Sequence, residues 1–174
     1  MARRNTRSQR TGGSPAVVAL HNLGIAFELH RFEHDSRSTD YGHEAARELT
    51  KALGCAPSSI FKSLVWSVDG SACVVVVPVL AKVSAKRLAA AMGGRKAVIA
   101  DADLAERIGG SVLGAITPLA LRRDVPILVD STIHGNDRVF LSAGRRGMEV
   151  SLKPEDLIRA TSAEIAPLIS GEIE

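Results

Sequence analysis

Lys62 stands where a strand should hide its side chains. Residues 60–66, Ile-Phe-Lys-Ser-Leu-Val-Trp, are rich in β-branched and aromatic types and read as a β-strand. Strand side chains alternate, so Ile60, Lys62, Leu64 and Trp66 share one side, apolar but for a single ammonium group. A lysine is almost never fully buried without a partner, so something stands opposite it. An anion, or an oxyanion forming during a reaction, is one candidate. The plain alternative is an edge-strand lysine that discourages aggregation, its stem on apolar neighbours and its head in water. A second anomaly is the run Gly109-Gly110-Ser111-Val112-Leu113-Gly114-Ala115-Ile116-Thr117-Pro118. Such backbone adopts conformations that only glycine tolerates, or approaches a ligand closely, and it can aim N–H groups at an oxyanion. Its bland counterpart is an ordinary turn. The segment Ser142-Ala143-Gly144-Arg145-Arg146-Gly147 offers two guanidinium groups to a phosphate, or is a solvated hairpin tip.

Other chemistries find less support. His30 and His34 share a strand face and His43 lies beyond the next loop, without the spacing or nearby carboxylates of a metal site. No GxSxG elbow, phosphate-binding P-loop or dinucleotide fingerprint occurs. Cys55 is a candidate nucleophile, but nothing sets a histidine beside it, and a half-buried structural thiol is the plainer role. The densest basic group is Lys82, Lys86, Arg87, Arg95 and Lys96, which reads either as solvated charge or as a contact to a phosphate backbone.

Elements of both kinds must position these residues. Ser14 caps a helix with Pro15 in its first turn and Gly24 closes it. Residues 25–34 alternate as a strand, and 41–53 form an amphipathic helix ended by Gly54. Strands over 60–68 and 72–77 meet through Asp69-Gly70, a hairpin signal. A helix over 84–92 stops at Gly93-Gly94, a short strand covers 96–100, and Asp101 caps a helix through 108. Strands over 125–129, 138–142 and 148–152 follow, and Pro154 opens a last helix with Glu155 and Asp156 complementing its dipole. Interleaved but not strictly alternating elements, with hairpins, predict a single α+β (mixed α/β) domain.

Composition agrees. A chain of 174 residues with 45% hydrophobic content can bury a core, and 3% aromatics leave that core to aliphatic side chains. So few rings also argue against nucleic-acid recognition by base stacking. Four of the 22 basic residues, Arg3, Arg4, Arg7 and Arg10, fall in the first fourteen, which hold no acid; the rest carries 18 basic against 19 acidic side chains. Residues 1–14 therefore read as a disordered basic tail, and the body as near neutral. No apolar stretch follows those arginines as in a secretory signal, and the longest apolar run, 72–81, is too short to span a bilayer. Two cysteines without CxxC spacing fit a reducing cytoplasm.

Five stretches together carry a resemblance. They are Phe32-Glu33-His34-Asp35, Tyr41-Gly42-His43-Glu44-Ala45, Phe61-Lys62-Ser63-Leu64, Gly114-Ala115-Ile116-Thr117-Pro118-Leu119 and Ser142-Ala143-Gly144-Arg145-Arg146-Gly147. In order and spacing they resemble the YbaK/EbsC family of aminoacyl-tRNA editing domains, relatives of the editing insertion of bacterial prolyl-tRNA synthetases. The resemblance implies an editing domain over 15–170 with a mixed, partly barrel-like sheet flanked by helices. It implies a deacylase that hydrolyses mischarged tRNA in trans, typically cysteine on the proline tRNA, with prolyl-tRNA synthetase as a further partner and no metal or organic cofactor. It makes Lys62 the central residue, places Gly114 and Ala115 with it, and gives substrate contacts to Phe32, Tyr41, Ile116, Thr117, Pro118, Ser142, Gly144, Arg145 and Arg146.

The chain departs from the family pattern in four places. Ala115 replaces a second glycine and Thr117 a serine in the loop, while Phe32 and Tyr41 exchange the usual tyrosine and phenylalanine. Amino-acid choice therefore stays open between Cys, Ala and Ser. A noncatalytic binder of a small acyl or amino-acid ligand is the alternative from another class. Ester cleavage puts negative charge on the carbonyl oxygen, and one well-placed donor there is worth about 3 kcal/mol. Lys62, with the Gly114 or Ala115 amide, is placed to supply it or to hold a terminal phosphate. No protein nucleophile lies in the matched motifs, which leaves water or the thiol of a cysteinyl substrate.

Overall fold

The Ser14 hydroxyl accepts a hydrogen bond from the Val17 N–H, Pro15 fixes the first turn, and Gly24 ends the helix in the left-handed region; this is α1, Pro15–Leu23. The computed structural model describes residues 13–171. The basic stretch with Arg3, Arg4, Arg7 and Arg10 lies outside the described residues. Strand β1 is Glu28–Arg31, and α2 is Tyr41–Leu53, capped by Asp40 and closed by Gly54. Strands β2 (Phe61–Val68) and β3 (Ser71–Pro78) form the hairpin expected at Asp69-Gly70, both of which have positive φ. Then come α3 (Ala85–Ala91), β4 (Ala97–Ile99), α4 (Ala102–Gly109), β5 (Ile127–Asp130), β6 (Val139–Arg145), β7 (Met148–Leu152), α5 (Pro154–Thr161) and β8 (Glu164–Ala166).

The strands make two sheets. One has three antiparallel strands in the order β1-β7-β6; the other has five in the order β4-β2-β3-β5-β8, with β5 parallel to β3 and β8. Among the described residues, one parallel backbone bridge, between Ile60 and Phe140, joins them. The fold is thus α+β, but the sheet expected as one partly barrel-like surface is two, left unclosed. Strand β2 explains why. It pairs with β3 along its whole length, whereas β4 covers only Trp66–Val68 on its other side. The 62–64 edge, between the Ile60–Phe140 bridge and the Val65–Ala100 bond, stays open.

Burial follows from this arrangement. The four-valine run Val74–Val77 is covered on both faces, as a continuous apolar strand requires. Val74 and Val76 join the main core with α1, α4, α5 and the inner face of the three-stranded sheet, including Leu141, Val150 and Leu152. Cys73, Val75 and Val77 pack with Leu88 and Ala89 of α3. A third cluster sets Ala46 and Leu49 of α2 on Ile60, Val79 and Phe140. Helix α2 thereby lies on the other face of the three-stranded sheet, the one carrying the polar residues.

Two expectations are corrected, and one strand was not anticipated. The strand expected over 25–34 is only Glu28–Arg31: Phe32 still donates its N–H to the Gly147 carbonyl (2.9 Å) as the last rung of the ladder, but Gly147, with φ of +75°, turns away and leaves the residues beyond Phe32 without a partner strand among the described residues. Strand β5 starts two residues later than expected, after Pro126, which lacks the N–H a ladder needs. Strand β8, with only three residues and two of them exposed, carries no alternation long enough to read from sequence.

Candidate functional site

Where β4 stops short, a cavity of about 290 Å³ opens against β2. Its walls come from the 61–65 stretch, the start of α2 at Tyr41 and Gly42, the end of β4, the loop at Leu113 and Gly114, and Ser142 and Glu149 of the three-stranded sheet. Register fixes how β2 faces it. The Ile60 carbonyl accepts from Val79 N–H (2.8 Å), so Ile60, Lys62 and Leu64 bond to β3, while Phe61, Ser63 and Val65 turn their peptide groups the other way. Val65 gives its carbonyl to the Ala100 N–H (3.0 Å). The peptide groups of Ser63 point into the gap.

Lys62 lines this cavity, half-buried. The edge-strand reading was therefore half right: β2 is open beside Lys62, but the opening is a pocket. Burial pulls the Lys62 pKa below the usual lysine value, and the Asp40 carboxylate acts in the opposite direction. Asp40 is the N-cap of α2, its carboxylate bonded to the His43 ring (2.8 Å). Burial favours neutral lysine and Asp40 favours the cation, so an added anion would find an ammonium with little competition.

The glycine loop is tied on three sides. Leu113 N–H donates to Glu106 Oε1 (3.0 Å), Leu113 O accepts from Arg146 Nε (2.9 Å), and Ala115 N–H donates to Val112 O (3.0 Å). Gly114 has φ of +81°, and a Cβ there would fall 2.2 Å from the Tyr41 ring. The Arg146 guanidinium lies over the same ring, 4.3 Å from its centre. Tyr41 is thus pinned between the loop and the β6–β7 turn. At the adjacent position, a Cβ on Gly42 would meet Val79 at 2.6 Å, which explains the small residue after the tyrosine.

The sequence-derived candidates separate into groups. Lys62, Gly114, Tyr41, Ile116 and Ser142 line the cavity. Phe32 lines a small adjoining recess with Tyr41, Arg146 and Glu149. Ala115, Thr117 and Pro118 are buried beneath the loop, and the Ala115 amide is already spent on Val112. Gly144 packs on Pro15, Arg145 is exposed, and Arg146, exposed as well, gives its Nε to the Leu113 carbonyl and lies over Tyr41. The histidines scatter: His30 bonds Ser151, His34 bonds Glu44, and His43 bonds Asp40.

Two lining residues had not been singled out. The Ser63 hydroxyl is buried without a hydrogen-bond partner among the described residues. Glu149 is buried, and its carboxyl is pushed up to about 8 by burial, with no charge or hydrogen bond from the described residues acting on it. Met148, Val150 and Leu152 alternate with Glu149 and Ser151, which in sequence marks a solvated face; only the packing of α2 makes it an interior one. The sign of the resulting pH effect is fixed. Glu149 ionises near 4.5 when unfolded and near 8 when folded, so its penalty is absent below pH 4.5 and grows until pH passes 8. Glu149→Gln is therefore expected to raise the melting temperature above pH 8 and to change it little below pH 4.5. Thermal melts of both proteins at the two extremes check this, and an equal shift at both would refute it.

The sequence pattern that defines the aminoacyl-tRNA editing domain matches residues 42–160. The chain belongs to that family. Over 131 residues the editing domain is 28% identical to EbsC of Enterococcus faecalis, a protein to which Cys-tRNA(Pro)/Cys-tRNA(Cys) deacylase activity is ascribed; the match covers 75% of this chain and 80% of that one. It is 29% identical over 152 residues to a proline–tRNA ligase of Desulfovibrio desulfuricans, covering 87% of this chain but 23% of the ligase. Its fold is similar to a crystal structure assigned as a trans-editing enzyme for prolyl-tRNA synthetase, with a TM-score of 0.76, 21% identity, and 88% and 94% of the two chains covered. No helix among the described residues is long and apolar enough to cross a membrane.

Proposed function

We propose that the editing domain hydrolyses the ester linking a wrong amino acid to tRNA, acting in trans in the cytoplasm on cysteine carried by the proline tRNA. The observation that carries this reading is the ammonium of Lys62 on the wall of a small cavity whose other side is the rigid Gly114 loop. About 290 Å³ suits an aminoacyl group and leaves the tRNA outside. The ascribed activity of EbsC and the kinship to a proline–tRNA ligase favour the same substrate.

In the reaction, water attacks the carbonyl carbon, its oxygen becomes the oxyanion, and the bond to the ribose oxygen breaks. The ribose oxygen takes up a proton, and the free amino acid leaves. Lys62 steadies the oxyanion; Tyr41 and Gly114 hold the acyl group against it. The Ser63 hydroxyl is a poor nucleophile here, since it has no hydrogen-bonded base among the described residues to take its proton. Cys55 packs under α2 away from the cavity lining, and burial raises its thiol pKa, which keeps it protonated. Cys55→Ser is accordingly expected to leave the deacylation rate largely intact. Loss of turnover in a folded Cys55→Ser protein would overturn this mechanism.

The reading is tested with a panel of esters: cysteinyl-, alanyl- and seryl-tRNA(Pro), and cysteinyl-tRNA(Cys). Cysteinyl-tRNA(Pro) is expected to be cleaved fastest. Faster cleavage of the alanyl or seryl ester would reassign the amino acid, and cleavage of none would leave a binding module.

A further inference from the structure

Lys62 and Glu149 come from different sheets, yet both line the one cavity. Among the described residues, Lys62 is the only cation on its walls and Glu149 the only acid. The neighbouring acids are spoken for. Glu44 accepts from the His34 ring and from the Asp35 N–H, both at 2.7 Å, and Asp40 is bonded to His43. The cations beside Glu149 are equally engaged: Arg146 lies on Tyr41 and bonds Leu113, and His30, directly across the ladder from Glu149, bonds Ser151. Glu149 is thus a buried carboxyl, 6% exposed, for which the described residues supply neither a hydrogen bond nor a counter-charge. Buried charges in folded proteins are paired, and an unpaired one is costly. A ligand that brings its own positive charge into the cavity would remove that cost, whereas a hydroxyl or a water would not.

An aminoacyl ester has the complementary arrangement. Its carbonyl oxygen becomes negative as the bond breaks, and its α-amine is positive in the bound state. We infer that Glu149 receives the α-ammonium of the aminoacyl group while Lys62 faces the carbonyl oxygen, so that the cavity selects esters with a free α-amine. This rests on the deacylase reading and adds a specificity-determining residue to it. Glu149 gives up its proton to solvent as the ammonium enters. Peptidyl and N-formylated esters, whose α-nitrogen carries no charge, are then spared by the same group that admits the aminoacyl ester.

The test needs no turnover. Proline tRNA ending in 3′-amino-3′-deoxyadenosine is acylated through a stable amide with either cysteine or 3-mercaptolactate. The two differ only in an ammonium against a hydroxyl of similar size. Wild-type protein is expected to bind the cysteinyl form about 100-fold more tightly, the scale set by losing one partner of a buried charge pair. In Glu149→Gln the two affinities should come within about threefold, chiefly by weakening of the cysteinyl form. Glu149→Met, with no polar head, should behave alike and serves if the glutamine variant does not fold. Equal wild-type affinity for the two probes, binding of neither included, overturns the inference. So does a variant that keeps the wild-type ratio while losing ester turnover, which would make Glu149 a general base. Failure of the deacylase reading shows separately, as absent cleavage of the ester panel with the binding ratio intact.

Discussion

Lys62→Ala is expected to lower kcat/KM for deacylation by about 100- to 1,000-fold, the usual cost of removing one charge-stabilising donor. The melting temperature should hardly move. The side chain is half-buried and its ammonium is disfavoured by burial, so truncation removes a desolvated charge along with some stem packing. The loss should appear mainly in kcat, because an oxyanion exists only in the transition state. If Lys62 instead gripped a phosphate of the tRNA end, KM would rise and kcat would persist. Lys62→Arg keeps the charge but replaces a point donor by a planar fork, and should recover only part of the rate. The pH profile adds an independent check. Burial sets the Lys62 pKa below its ordinary 10.5, so the protein-dependent rate should fall on the alkaline side earlier than a solvent-exposed lysine would dictate. Uncatalysed ester hydrolysis is subtracted first. That limb should be missing in Lys62→Ala. A folded alanine variant with unchanged kcat/KM would remove Lys62 from the mechanism.

The elements were legible where short-range physics decides them. Ser14, Asp40 and Asp101 cap helices as their types suggest, Gly24 and Gly54 close them, and Asp69-Gly70 makes the tight hairpin. Lys62 was legible as a polar residue on an apolar strand face, although its surroundings were not. Whether β2 is an edge depends on how far β4 runs beside it, and three residues of β4 carry no such signal. Glu149 was passed over for a related reason. Its alternation with Met148 and Val150 is that of a half-solvated strand, and burial comes from α2, more than ninety residues earlier in the chain. Arg146 was legible as a cation and not as a tie, because a guanidinium shared between a tyrosine face and a carbonyl is settled by loops distant in sequence. Local order was thus readable. The site lies where separate elements meet, and there the sequence offered residue types without their neighbours.

Gly114→Ala is expected to abolish most deacylation, and unlike Lys62→Ala it should cost stability as well. Two terms act together. A φ of +81° is strained for any side chain, on the order of 1–3 kcal/mol. The new methyl would also fall 2.2 Å from Cγ of Tyr41, inside any real contact, so the ring or the loop must move. The ring cannot retreat freely, because Arg146 covers it and is anchored to Leu113 in the same loop. Displacing Tyr41 therefore pulls on the Leu113 carbonyl, and moving the loop breaks the Arg146 contact. Either way the wall opposite Lys62 shifts, and a displacement of about 1 Å at a reacting centre can cost about 100-fold in rate. The melting temperature should fall by roughly 4–8 °C for a loss of about 2 kcal/mol in a domain of this size. Tyr41→Ala in the Gly114→Ala background separates the terms. Removing the ring should recover part of the lost stability, since the clash disappears and only the φ strain remains, but it should not recover activity. If the double variant is no more stable than Gly114→Ala alone, the Tyr41 contact is not what requires glycine there.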